Sequence, residues 1–204
     1  MKVLLITANP KRKGALATLT SEATRGLTDS GIEVEEIRLA DCDIGYCNFC
    51  FKCVRDPESA IGPCSQNDDM RWILEKAKAA DGFVMATQLS SGHANARFKT
   101  FVERATYTAG RDSTVLFVKG FPRSRFTDKR RYAITLATAG GMPSWLRVFC
   151  NTATKQMVEL SHLAFNARVV GKLYAGMIRS GMRKRDPLRA YQLGQKLASQ
   201  LNAK

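Results

Sequence analysis

Histidine is nearly absent: the 204 residues contain two, His93 and His162. His93 falls in a polar loop and His162 in a helical pattern, and no Ser–His–Asp or Cys–His arrangement forms around either. Chemistry centred on a histidine base is therefore not expected, nor is a finger of paired cysteines and histidines. Long apolar runs are also missing, and nothing approaches the roughly 18 residues of a membrane span. Val3 to Ile6 is too short for a signal-peptide core and is cut off by Asn9-Pro10, so a cytoplasmic protein is expected. Acidic residues are scarce, 18 against 32 Lys and Arg, giving a net charge of +14. Such a surface attracts polyanions: a phosphorylated cofactor, an acidic protein or nucleic acid. Repeats, low-complexity linkers and interleaved aromatic and basic residues are lacking, and the basic residues are scattered over several loops. A nucleic-acid reader is thus disfavoured, while a flavin-free basic module binding some polyanion remains an alternative.

The length and an apolar content of 45% suit one domain with a sizeable core. Lys2 to Thr7 has the make-up of a buried parallel strand, and Leu16, Leu19, Ala23 and Leu27 repeat at helical spacing. Ile32 to Leu39 alternates like a strand with one wet face. Asn67-Asp68-Asp69 opens a helix marked by Met70, Ile73, Leu74 and Ala77. Gly82 to Thr87 reads as a central strand, Gln88 to His93 as a loop, and Phe98, Phe101, Val102 and Ala105 as the inner face of the next helix. Arg111 to Arg131, with seven Lys/Arg and two Asp, reads as a long irregular connection. Tyr132 to Thr138 and Ala167 to Ala175 read as strands. Pro143 to Asn166 reads as a helix, as does the segment after the basic turn Arg179 to Arg185. Strands alternating with helices predict an α/β fold: a doubly wound, five-stranded parallel sheet in three layers, flavodoxin-like, forming one domain over 1–204.

Ligands on such sheets sit beyond the carboxyl ends of the strands. Three polar or glycine-bearing loops leave those ends: Ala8 to Gly14, Gln88 to His93 and Ala139 to Met142. The first feeds a helix, so its free N–H groups, the helix dipole and Lys11, Arg12 and Lys13 favour a phosphate. The second strand is followed by 40–66, which has no helical period and carries five of the six cysteines. Cys47, Cys50 and Cys53 form a CxxCxxC run, with Cys64 eleven positions further on. Two-residue gaps let thiolates turn onto one centre, and four soft ligands suit a [4Fe–4S] cluster or tetrahedral zinc; free thiols are the third option. Cys42 and Cys150 are read as packing residues.

Together these pieces resemble the NADPH-dependent FMN reductase family, and within it the iron–sulfur flavoproteins. Ile6-Thr7-Ala8-Asn9-Pro10-Lys11-Arg12-Lys13-Gly14 is similar to the family's GSPR-x-x-G loop. The cysteine run followed by Asp68-Asp69-Met70 is the second block. The third runs from Ala80 to Thr87 and on through Gly92, Ala96, Lys99, Phe101 and Arg104; Thr138-Ala139-Gly140-Gly141 looks like the last flavin loop. The resemblance implies FMN, with Asn9, Pro10, Lys11, Arg12, Gly14, Ala15, Leu16 and Thr18 around its phosphate. Gln88, Leu89, Ser90, Ser91 and Gly92 would line the ring edge, and the loop from Thr138 would bind the flavin with the N–H groups of Ala139, Gly140 and Gly141 facing its N1/O2 side. It implies a flavin-dependent oxidoreductase, a homodimer or homotetramer, with a [4Fe–4S] cluster on Cys47, Cys50, Cys53 and Cys64. Electrons would then come from an acidic ferredoxin-like donor docking on Arg111–Arg131 and Arg179–Arg185 and leave to a small-molecule acceptor. Without a cluster, NAD(P)H would reduce FMN directly. Four departures stand out. Ala8-Asn9 replaces Gly-Ser, Ala15-Leu16 replaces Asn-Thr/Ser, and Gln88-Leu89-Ser90 replaces Pro-Val-Tyr. The gap from Cys53 to Cys64 is also longer than usual.

Overall fold

Alternation in strand β1 (Lys2–Thr7) sends Val3 and Leu5 to one face of a sheet and Leu4 and Ile6 to the other, all of them buried. A strand apolar on both faces must be covered on both, which dictates three layers. The computed structural model describes residues 1–115, 118–146 and 151–203, with side chains left undescribed over 113–122. Helix α1 (Ala15–Thr28) leads to β2 (Glu33–Arg38), and α2 (Met70–Ala79) leads to β3 (Gly82–Ser90). After β4 (His93–Ala94) and α3 (Ala96–Thr108) come β5 (Gly110–Val115), β6 (Val118–Ser124) and β7 (Arg131–Thr138). Helix α4 (Thr152–Leu163), β8 (Ala167–Ala175) and α5 (Arg185–Asn202) complete the order.

The parallel strands lie in the order β2-β1-β3-β7-β8. This is the doubly wound arrangement expected, and its order reverses between β1 and β3. Helices α1 and α5 cover the face holding Val3, Leu5, Val84 and Leu136; α2, α3 and α4 cover that of Leu4, Ile6, Phe83 and Met85. Helices α1 and α5 touch backbone to backbone at Gly26 and Gly194. A Cβ on either would lie 2.2 Å from a carbonyl oxygen of the other helix, so only glycine fits.

Three expectations are corrected. Gln88, Leu89 and Ser90 are not loop: β3 runs on to Ser90 and turns back through Ser91 and Gly92 to pair with β4. Ser91 and Gly92 both have positive φ, 50° and 82°, as a two-residue primed turn requires. Arg111–Arg131 is not irregular: Gly110–Val115 and Val118–Ser124 form an antiparallel hairpin. Arg111 stands opposite Arg123 in it, a like-charged pair that gives no strand signal. Pro143 to Asn166 is not one helix. A 3-10 turn over Ser144–Leu146 comes first, and α4 starts afresh where the Asn151 side chain accepts the N–H of Thr154. Cys150 lies outside the described residues, whereas Cys42 is buried in the core.

Candidate functional site

Parallel strands put the loops after β1, β3, β7 and β8 on one edge. The loop after β1 rests on both neighbours. The N–H of Ala8 bonds the carbonyl of Ala86, and the Asn95 side chain, which caps α3, donates to the carbonyl of Ala8 at 2.7 Å. Asn9 is buried and its Oδ1 accepts the N–H of Lys11, which turns the chain outward. Gly14 then takes φ 109° and ψ −179°, a conformation essentially reserved for glycine. No side chain caps α1, so the N–H groups of its first turn, including Ala15 and Leu16, have no cap acceptor. Pro10, Lys11, Lys13 and Gly14 are exposed. An uncapped helix start with open space at Gly14 and two lysines beside it fits a phosphate.

Two residues expected there are turned elsewhere. Arg12 pairs with Asp41 at 3.1 Å, and Asp41 is also held by Arg38. Thr18 directs both its N–H and its hydroxyl to the carbonyl of Gly14, one turn into α1. The buried Leu16 side chain enters the core, so it can offer only its backbone.

The β3–β4 hairpin places Gln88 and Leu89, half-buried, beside the exposed Ser90 and Ser91. Its tip is fixed by Thr152, whose N–H and hydroxyl both donate to the carbonyl of Gly92, at 3.3 and 2.7 Å. The Thr152 hydroxyl also lies 2.9 Å from Nδ1 of His93. In the third loop Thr138 and Ala139 are buried, and Gly140 and Gly141 are exposed. The N–H of Ala139 does not face a ligand, because it is bound to the carbonyl of Ala175. The basic turn folds back here. The N–H of Arg179 bonds Gly140, and its side chain lies so near that a Cβ on Gly140 would sit 3.3 Å from Nε.

The cysteines form a second region. The loop is closed like a belt: Asp69 accepts the N–H of Asp43 and donates its own to Asp43, and Asp68 accepts the N–H of Gly45. From α3, Arg104, 1% exposed, forks onto both oxygens of Asp68 and bonds the Gly45 carbonyl, Gln66 and Cys64 Sγ, the last at 3.3 Å. Cys47, Cys50, Cys53 and Cys64 line one cavity with Arg104, Tyr107 and Thr108. Phe49 and Phe51, at φ 49° and 55°, stand against Tyr107 over it. The Ser65 hydroxyl, 3.2 Å from Cys50 Sγ, holds that thiol below its usual pKa, while burial pushes Cys53 up.

Burial opposes the charge of Asp68. The hydrogen bonds from Arg104, Gly45 and Met70 outweigh it and hold the carboxyl below its ordinary value. As the side chains stand the cavity measures about 20 Å³, room for about one water. Among the described residues, no three His, Cys, Asp or Glu are grouped tightly enough to hold a metal ion in this conformation. A polynuclear core would need the exposed 48–52 segment to move outward. The donor set suits such a core: four thiols, plus a buried Arg104 Nε with no acceptor. The cavity is not at the sheet edge. Arg104 lies nine residues along α3 from Asn95, about 14 Å at 1.5 Å per residue.

Arg125 carries no signal in the sequence, and only its burial reveals it. Together with Asn95, Thr152 and Asp41 it shows what pattern reading misses, since none of the four belongs to a motif.

Residues 1–172 match the family model of the NADPH-dependent FMN reductases. An iron–sulfur flavoprotein of Methanocaldococcus jannaschii is 33% identical over 105 residues, covering 52% of this chain and 52% of that protein. One from Archaeoglobus fulgidus is 30% identical over 104 residues, 51% of this chain and 45% of that protein. The matches thus span about half the length of these relatives. An NAD(P)H:quinone oxidoreductase from Methanothermobacter marburgensis shares the fold, with TM-score 0.71 at 19% identity over 97% of this chain and 98% of that one. With all but its last 32 residues matched, the chain belongs to the NADPH-dependent FMN reductase family.

Proposed function

We propose that the chain is an FMN-dependent oxidoreductase of the iron–sulfur flavoprotein kind, with a [4Fe–4S] cluster on Cys47, Cys50, Cys53 and Cys64. It would draw electrons from an acidic, ferredoxin-like donor and pass them to a small acceptor. The observation that carries this reading is that all four thiols of the run line one cavity on a fold with an uncapped phosphate-type helix start. FMN, when bound, supplies the redox chemistry. The chain's part is to hold and tune it. The first turn of α1, with Lys11 and Lys13, grips the phosphate. The N–H groups of Gly140 and Gly141 and the cation of Arg179 favour negative charge on the N1/O2 side. The rigid β3–β4 hairpin keeps the ring edge in place.

The docking face is smaller than the sequence suggests. Among the described side chains of 111–131, Arg125 and Arg131 are buried, Lys129 pairs with Asp81 and Arg111 is half-buried, while Arg123 and Arg130 are exposed. Inward-turned cations give the flavin-free polyanion binder less to stand on. A homodimer or homotetramer in the cytoplasm is part of the proposal; among the described residues no helix is long and apolar enough to cross a membrane.

The small volume of the thiol cavity favours a second reading, a cluster-free NAD(P)H-dependent FMN or quinone reductase. Anaerobic purification with iron, sulfide and flavin analysis decides. A brown protein with equal iron and sulfide plus FMN supports the first reading, and a yellow, iron-free protein the second. A colourless protein that takes up no FMN overturns both.

A further inference from the structure

Bonded to the backbone of the thiol loop lies a second buried guanidinium. Arg125 follows β6 and is 6% exposed. It donates only to backbone carbonyls: Gly110 through Nε, Asp56 and Ser59 through Nη1, and Cys53 through Nη2, all at 2.7–2.8 Å. The two arginines differ in their counter-charge. Arg104 is neutralised by Asp68 at 2.7 Å, whereas among the described residues no carboxylate lies within ion-pair distance of Arg125. Asp56 and Asp112 act on it from further away, and Arg111 acts against it. The Asp56 carboxylate is itself occupied by the N–H groups of Glu58 and Ser59 and by the Ser59 hydroxyl.

A buried cation without a close partner is costly, and burial pulls its pKa down. Negative charge gathered on the nearby thiols would offset that cost. Gly62 keeps the two together: a Cβ there would come within 2.9 Å of the Cys53 carbonyl and 3.2 Å of Arg125 Nη2.

We propose that Arg125 is the counter-charge of the thiol cavity, a positioning residue that holds Cys53 through its carbonyl and makes the occupied cavity accept one further negative charge more readily. The proposal rests on the cluster-bearing reading above. The step is a one-electron reduction: dithionite gives one electron, the cluster with its four thiolates becomes one charge more negative, and no bond or proton is exchanged.

The test is an EPR-monitored dithionite titration of the cluster in wild type, R125K and R125Q, each reconstituted anaerobically with ferrous iron and sulfide and assayed for both. R125Q is expected to shift the reduction equilibrium about tenfold towards the oxidised form, a potential about 59 mV lower for one electron. R125K keeps the charge and stays within about threefold of wild type. An R125Q cluster with wild-type potential overturns the proposal, as does an R125K shift as large as that of R125Q. Should R125Q fail to fold, R125M carries the test. It keeps an aliphatic stem and loses the charge, so the same shift of about tenfold towards the oxidised form is expected, and no movement overturns the proposal. A wild-type protein that takes up no iron or sulfide overturns both this inference and the functional reading; unchanged variants with intact clusters overturn this inference alone.

Discussion

The sheet edge and the cysteine face are built from different materials. At the edge, what is offered to a ligand is mostly backbone: the first turn of α1, the N–H groups of Gly140 and Gly141, and a two-residue turn at Ser91 and Gly92. On the cysteine face it is side chains, four thiols framed by two buried arginines and Asp68. Backbone donors survive most substitutions, because any residue but proline supplies the N–H. The departures from the family pattern, Ala8-Asn9 and Ala15-Leu16, are tolerable for that reason. A side-chain site has no such slack. Helix α3 joins the two regions, its Asn95 end holding the edge and its Arg104 end the thiols, and Arg12 on Asp41 ties the phosphate loop to the start of the cysteine loop.

The largest expected effect falls on the side-chain region alone. Replacing Cys47, Cys50 or Cys53 by Ser should abolish iron and sulfide uptake while FMN binding, read by flavin fluorescence, stays within about twofold of wild type. The same result for Cys64→Ser would make Cys64 the fourth ligand despite its long spacing. If FMN binding were lost along with the cluster, the two regions would not be separate.

Next is the ion pair between Arg104 and Asp68, the two side chains 1% and 8% exposed. Breaking a buried pair by removing one partner costs about 3–5 kcal/mol. Arg104→Met should therefore lower urea-unfolding stability by about that much. The pH dependence has a definite sign. The Asp68 carboxyl is held below the ordinary 3.8 in the folded protein, so its contribution is complete above about pH 4 and disappears as pH falls through the lower folded value. Asp68→Asn should flatten the stability curve below pH 4 and leave it parallel to wild type from pH 5 to 8. A curve unchanged below pH 4 would show that Asp68 is not what acid attacks.

At the edge the sensitive position is a backbone one. Gly14→Ala forces a side chain into a conformation that costs about 1–3 kcal/mol, although nothing lies within 4 Å of the new Cβ. Affinity for FMN should fall about tenfold by fluorescence titration, with iron uptake unaffected. Equal affinity would mean that the phosphate sits away from the start of α1.

The sequence shows the five parallel strands and most of the helices because apolar runs and helical spacing report burial directly, as in Lys2–Thr7 and Ala167–Ala175. It shows the thiol run because covalent spacing limits what four cysteines can reach. The β5–β6 hairpin stays hidden, since Arg111 facing Arg123 and the inward Arg125 look like a solvated loop. The end of β3 is hidden for a related reason: Gln88-Leu89-Ser90 is polar, and it is strand because Gln88 pairs with Thr138 of β7 and Leu89 and Ser90 pair with Ala94 and His93. Arg12 turns to Asp41 through a contact 29 residues away in sequence, which no local pattern encodes. Residues that work through long-range hydrogen bonds to backbone leave no periodic trace, and Arg125 and Asn95 are of this kind.

Asn95 gives the smallest effect and the most direct test of separateness. Its Oδ1 caps α3 by accepting the N–H of Phe98 at 3.0 Å, and its Nδ2 donates to the carbonyl of Ala8 at 2.7 Å. Losing an N-cap costs about 1 kcal/mol. Losing the second bond leaves the Ala8 carbonyl to water or to no partner, which loosens the first residue of the phosphate loop. Asn95→Asp keeps the cap but cannot donate to Ala8, whereas Asn95→Ala loses both bonds. Stability should therefore drop by about 1 kcal/mol in the alanine variant and less in the aspartate one, while FMN affinity weakens by about threefold in both. Cluster content should not change in either, because α3 below its first turn is held by Phe98, Phe101 and Arg104 inside the core. A loss of iron in Asn95→Asp would show that the helix transmits edge disturbance to the thiols, and the two regions would then have to be treated as one coupled site.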